Sequence, residues 1–131
     1  MHPDQQLPME GVRVLVVEDE YFIADDFRRE LSAAGAVIVG PASSFSTAAK
    51  KIDEGAFDCA VIDLNLHGES ALPLAARLAT RGKPFAIATG YGSAAIPPEF
   101  KGVPRIEKPF DPPALLQLVA QLSRGKPEPA A

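Results

Sequence analysis

The sequence predicts an α/β fold: a parallel sheet of five strands with helices on both faces. Three observations support this. Short apolar runs alternate with stretches of helical periodicity through five strand–helix units. The run at 57–62 is apolar without a polar alternate and stops abruptly at a carboxylate, Asp63, as a central buried strand does. Polar, chemically able residues stand at the carboxyl ends of four of the five strands, the edge where open α/β sheets place their sites.

Taken in order, residues 1–10 are polar with two prolines and read as a flexible lead-in. Residues 12–17 form a compact β-branched strand ending in Glu18-Asp19-Glu20. Ile23, Phe27, Leu31 and Ala34 then recur at helical spacing, with Gly35 as the stop. A second strand, 37–39, is cut off by Gly40-Pro41. Ser43, Ser44 and Ser46 offer caps for a second helix that stops near Gly55. After the strand to Asp63 comes a loop, 64–69, and then a helix over 70–80, where Pro73 is tolerable because it lies near the first turn. A fourth strand, 84–88, ends in Thr89-Gly90. The segment that follows holds Gly90, Gly92, Pro97, Pro98, Gly102 and Pro104, so the fourth helix is shortened or replaced by loop, and 90–102 is expected to be the most mobile internal stretch. A short fifth strand, 103–106, precedes Glu107-Lys108-Pro109-Phe110. Asp111 caps a last helix with Pro112 in its first turn and Leu115, Leu118, Val119 and Leu122 on one face. Residues 11–123 are therefore one domain, flanked by the lead-in and by a flexible tail at 124–131.

Composition narrows the function. No apolar run approaches the roughly 20 residues of a membrane span, and the first residues lack a signal peptide's pattern. A net charge of −4, with no basic run beyond Arg28-Arg29 and Lys50-Lys51, disfavours nucleic-acid binding. The lone Cys59 excludes an internal disulfide and points to a reducing, cytoplasmic setting. His2 and His67 form no cluster with zinc spacing.

In a parallel sheet, Glu18 and Asp19, Asp63, Thr89 and Lys108 converge on one edge. Crowded carboxylates resist ionising unless a cation joins them, and a few acids with water suit magnesium. A carboxylate nucleophile, a divalent ion, an ammonium and a hydroxyl describe phosphoryl transfer onto Asp63. No Gly-x-x-x-x-Gly-Lys loop is present to bind a nucleotide, so the phosphoryl group comes from elsewhere. Singly each feature has a plainer reading: acids favoured at a helix start, a Thr-Gly turn, a solvated lysine.

Val14 to Glu20, Val61-Ile62-Asp63-Leu64-Asn65, Ala88-Thr89-Gly90 and Glu107-Lys108-Pro109-Phe110, in that order, resemble bacterial two-component response-regulator receiver domains over about residues 12–123. The resemblance implies a doubly wound, flavodoxin-like sheet with strand order 2-1-3-4-5. It implies Asp63 as phosphoacceptor from a kinase phosphohistidine. Asp19 and Asp63 become direct Mg2+ ligands, Glu18 a ligand through water, and Asn65 a ligand by its backbone carbonyl. Lys108 and Thr89 bond the phosphoryl group, and Pro109 follows a cis peptide bond. The protein implied is a stand-alone, single-domain regulator in a phosphorelay. The resemblance implies a phosphoacceptor rather than an enzyme in the ordinary sense, with any catalysis confined to its own phosphorylation and dephosphorylation.

Three departures stand out. Glu18 replaces the commoner Asp, Arg105 occupies the place of a switch aromatic, and the fourth helix is stunted. The stretch from Pro84 to Gly92 is similar to the signature of the FATGUY subgroup, whose members commonly pair with HWE-type histidine kinases. Tyr91 is either a packing aromatic or the replacement switch residue, and His67 reads as a solvated loop residue. The alternative functions are a phosphorylation-independent interaction module with the same fold and a magnesium phosphatase. The phosphatase's Asp-x-Asp-x-Thr pattern is broken here by Asn65 and His67.

Overall fold

The structure is a computed structural model and describes residues 7–90 and 96–124. Its central strands are the predicted apolar runs: β1 (Arg13–Val17), β2 (Val37–Ala42), β3 (Cys59–Asp63), β6 (Phe85–Thr89) and β7 (Arg105–Glu107). A two-residue pair, β4 (Asn65–Leu66) and β5 (Glu69–Ser70), lies between β3 and the third helix. The helices are α1 (Tyr21–Ala33), α2 (Phe45–Glu54), α3 (Leu72–Thr80) and α4 (Pro112–Arg124). The main sheet is parallel with order β2-β1-β3-β6-β7, the doubly wound order expected. Chain direction across the sheet reverses between β1 and β3, which sets the ligand-binding crevice at their carboxyl ends.

Alternate residues of each strand feed two cores. Leu15, Val17, Ala60, Ile62 and Ile87 pack against Ile52 of α2 and Leu74 and Leu78 of α3. Val14, Val16, Val61, Ala86 and Ile106 pack against Phe27 and Leu31 of α1 and Leu115 and Val119 of α4. Covering both faces removes every residue of β3 and β6 from water, which is why those runs show no polar alternate. Helix ends follow local chemistry. Ser44 Oγ accepts from Thr47 N–H at 3.2 Å, and α2 stops at Gly55 in the left-handed region.

Three expectations are corrected. β2 is not cut off at Gly40-Pro41 but runs through it to Ala42, because one extra residue is absorbed there: Leu15 pairs with Val39, while Val17 pairs with Ala42. Proline is tolerated because β2 is an edge strand. The extension matters, because Ala42 C=O accepts Glu18 N–H at 3.0 Å and so fixes the backbone of the first site acid. Second, the 64–69 loop contains the β4–β5 hairpin, and α3 starts at Leu72 rather than Ser70, whose residue pairs with Asn65. Third, residues 7–10 are not a free lead-in: Met9 is 1% exposed, and its N–H donates to Ala34 C=O at 2.8 Å. Residues 1–6 and the tail beyond 124 lie outside the described residues. The shortening expected between β6 and β7 is met: the described residues there hold a single 3-10 turn, Pro98–Phe100, anchored by Phe100 edge-to-face on Phe85 at 6.2 Å. Of the stretch expected to be most mobile, 91–95 lies outside the described residues.

Gly40 has φ +95°, and a Cβ there would meet Ala42 N at 2.7 Å. Gly40→Ala is expected to destabilise the domain by about 2 kcal/mol or more, read by chemical denaturation. A loss below about 0.5 kcal/mol would show that the bulge relaxes freely.

Candidate functional site

The crevice at the switch point gathers side chains from three strand ends. β1 delivers Glu18 and Asp19, β3 ends on Asp63, and Lys108 follows β7 directly. Lys108 Nζ donates to Asp63 Oδ2 at 2.9 Å and to Glu18 Oε1 at 3.1 Å. Asp19 joins them: one carboxylate oxygen from each of Glu18, Asp19 and Asp63 lies within 4.8 Å of the others. Thr89 ends β6 one residue past the Asp63–Ala88 pair, is buried, and its carbonyl accepts Lys108 N–H at 2.8 Å. Residues separated by as many as 90 positions thus meet at one rim.

Backbone amides complete the carboxylates' shell. Asn65 N–H donates to Asp63 Oδ1 at 2.9 Å, Glu20 N–H to Glu18 Oε2 at 3.1 Å, and His67 N–H to Asp19 Oδ2 at 2.7 Å. The extra methylene of Glu18, compared with Asp, lets one carboxylate take both Lys108 and the amide at the start of α1. The Asn65 side chain turns away, its Oδ1 accepting Gly68 N–H at 2.7 Å. The Lys108–Pro109 bond is cis, and Phe110 stacks on Phe27 at 4.7 Å. Arg105 is exposed on β7, while Tyr91 lies outside the described residues.

Electrostatically the pocket carries more negative charge than its lysine offsets. Glu18, 1% exposed, has its pKa raised to about 7 by burial first and by the charge of Asp63 second. Bonds from Glu20 N–H and Lys108 hold it back only in part. Burial pulls the Lys108 pKa down, but its hydrogen bonds to Asp63 and Glu18 and their charges outweigh that and raise it.

Between the ordinary value of 4.5 and about 7, folded Glu18 keeps a proton that the unfolded chain releases. Stability from this group is therefore present at low pH and lost as pH rises through that window, by about 3 kcal/mol. Denaturation in metal-free buffer at pH 5 and pH 7.5 is expected to show this fall, and Glu18→Gln to flatten it. An unchanged slope in the variant would place the titration elsewhere.

Three crowded oxygen donors with excess negative charge are a fitting donor set for a hard divalent cation. Glu18, Asp19 and Asp63 could hold one. A groove of about 490 Å³ leads to the same place, with Ile23, Phe110 and Pro112 as apolar walls and Glu20, Asp26 and Lys108 as polar ones. Sequence reading missed His67 N–H as the partner of Asp19. The only trace was the His67-Gly68 pair, a weak form of the Asn-Gly hairpin-turn signal.

The family model for the response regulator receiver domain matches residues 14–120, and the chain belongs to that family. SdrG from Sphingomonas melonis Fr1, solved in solution, is 32% identical with a TM-score of 0.77, over 86% of this chain and 96% of that one. A response regulator receiver protein from Sinorhizobium medicae WSM419 is 25% identical with a TM-score of 0.76, over 89% and 98%. The BeF3-activated conformation of SdrG from Pseudomonas melonis Fr1 is 30% identical with a TM-score of 0.72, over 91% and 98%. No curated protein matches the chain. Among the described residues no helix is long and apolar enough to cross a membrane.

Proposed function

We propose that this receiver accepts a phosphoryl group on Asp63 from the phosphohistidine of a sensor histidine kinase or phosphotransfer protein, with Mg2+ in the acidic pocket. The observation that carries the reading is Lys108 Nζ, 2.9 Å from Asp63 in a pocket shared with Glu18 and Asp19. As an Asp63 oxygen bonds to phosphorus, the donor's nitrogen–phosphorus bond breaks and the electron pair leaves with the imidazole. Lys108, already beside the nucleophile, would pair the phosphoryl oxygens, and Thr89 would bond them by its hydroxyl. Glu18, Asp19 and Asp63, with the Asn65 carbonyl, would hold Mg2+. When bound, the ion neutralises charge on the transferred group. The groove between α1 and the start of α4 gives a donor helix a path to Lys108, and Tyr21 and Phe22 stand exposed at the start of α1.

The finer placement, in the FATGUY subgroup with a kinase of the HWE or a related type, rests on residues 84–92 and on the single turn where a fourth helix usually lies. Output is phosphorylation-dependent protein binding or phosphate shuttling in the cytoplasm, and any catalysis is confined to loading and unloading Asp63. A BeF3-activated form has been solved for SdrG, and the same ligand is expected to occupy Asp63 here.

Incubation with Mg2+ and acetyl phosphate is expected to add one phosphate by intact mass, lost on hydroxylamine treatment and absent with EDTA. No gain from acetyl phosphate or from a phosphorylated kinase would overturn the proposal.

A further inference from the structure

Asp19 stands between the end of β1 at Val17 and the start of α1 at Tyr21, and its carboxylate is held from far along the chain. His67 N–H donates to Asp19 Oδ2 at 2.7 Å, and the His67 Nδ1 lies 3.4 Å from the same oxygen. His67 reaches this position with φ 51°, the one positive value at a non-glycine residue among those described, and Gly68 follows at 84°. Two successive positive φ values are what a two-residue type I′ hairpin turn requires. The turn is tied by Asn65 Oδ1 to Gly68 N–H and by the pairing of Asn65 with Ser70 and of Leu66 with Glu69. The same hairpin sends Asn65 N–H to Asp63 Oδ1 at 2.9 Å.

One small β element therefore grips one oxygen on each of two acids that come from different strands. Each carboxylate keeps its second oxygen for another partner. We propose that His67 is a positioning residue, whose backbone amide fixes the Asp19 carboxylate so that the β4–β5 turn sets the pocket's affinity for a divalent cation. This rests on the reading above that the acidic cluster binds Mg2+. The imidazole is 72% exposed, so its ion pair is screened and the backbone bond carries the effect. By linkage, an ion on Asp19 also steadies the turn.

Magnesium titration followed by calorimetry and by amide NMR shifts tests this on the full chain. In His67→Val a β-branched residue resists positive φ and withdraws the amide. Asn65→Ala unties the turn without altering either acid. His67→Asn is at home in a type I′ turn and restores the amide. His67→Val and Asn65→Ala are expected to weaken Mg2+ binding about fivefold, the worth of one such hydrogen bond, with His67→Asn within about twofold of wild type. Should His67→Val fail to fold, Asn65→Ala against His67→Asn carries the comparison. Wild type and all variants binding alike would overturn this inference alone, and His67→Asn falling as far as His67→Val would overturn its backbone basis. A wild type with no Mg2+ response would overturn the metal reading and this inference with it.

Discussion

Asp63→Asn is expected to bring phosphate incorporation from acetyl phosphate down to background while leaving the domain folded. An amide is no nucleophile, so the acceptor atom is removed outright. The surroundings tolerate the change. An asparagine oxygen still accepts Asn65 N–H, and Lys108 keeps Glu18 at 3.1 Å. The charge of Asp63 is one of the two causes that raise the Glu18 pKa, so the variant is also expected to melt above wild type in metal-free buffer. Millimolar Mg2+ is expected to raise the wild-type melting temperature and to move the variant less. Intact mass and melting curves on the same samples separate loss of chemistry from loss of fold. Equal phosphate gain in the variant would put the acceptor on another residue.

The second large effect concerns Lys108. Its side chain is 10% exposed and bonds two acids, one of them fully buried. Lys108→Met keeps the length and packing of the stem but leaves Glu18 and Asp63 facing each other without a cation. At pH 8.5 in metal-free buffer the loss is expected to be about 3–5 kcal/mol. At pH 5.5 it is expected to be much smaller, because Glu18, whose pKa already stands at about 7, is protonated there with or without the lysine and leaves Asp63 facing a neutral acid. Urea denaturation at both pH values checks this. An equal loss at both would mean that stem packing, not charge, sets the contribution. The variant is also expected to load phosphate more slowly at saturating Mg2+, since the ammonium nearest the acceptor is gone.

Much of this pocket was legible in the bare chain because its parts are side chains at strand ends. Apolar runs such as Ala60-Val61-Ile62 announce a strand covered on both faces, and the acid that ends each run lies by necessity at the sheet's carboxyl edge. What stayed hidden was backbone work. The continuation of β2 past Gly40-Pro41 depends on its register with β1, which no local pattern encodes, since glycine followed by proline ordinarily marks a stop. The bond from His67 N–H to Asp19 spans 48 residues and needs no particular side chain, only a positive φ that histidine sometimes adopts. Met9 reads as part of a polar lead-in because burial of one residue ahead of the first strand leaves no periodicity to detect.

The kinked outer strand has one more consequence. Open sheet margins recruit strands from other molecules when they are long, flat and rich in donors, and this one is neither flat nor fully equipped. Pro41 offers no N–H, and the extra residue at Gly40 breaks the spacing an incoming strand would have to match. The β2 side is thereby guarded against runaway cross-strand polymerisation, even with Val37 exposed on it, and the protein can be kept concentrated without that route to fibres.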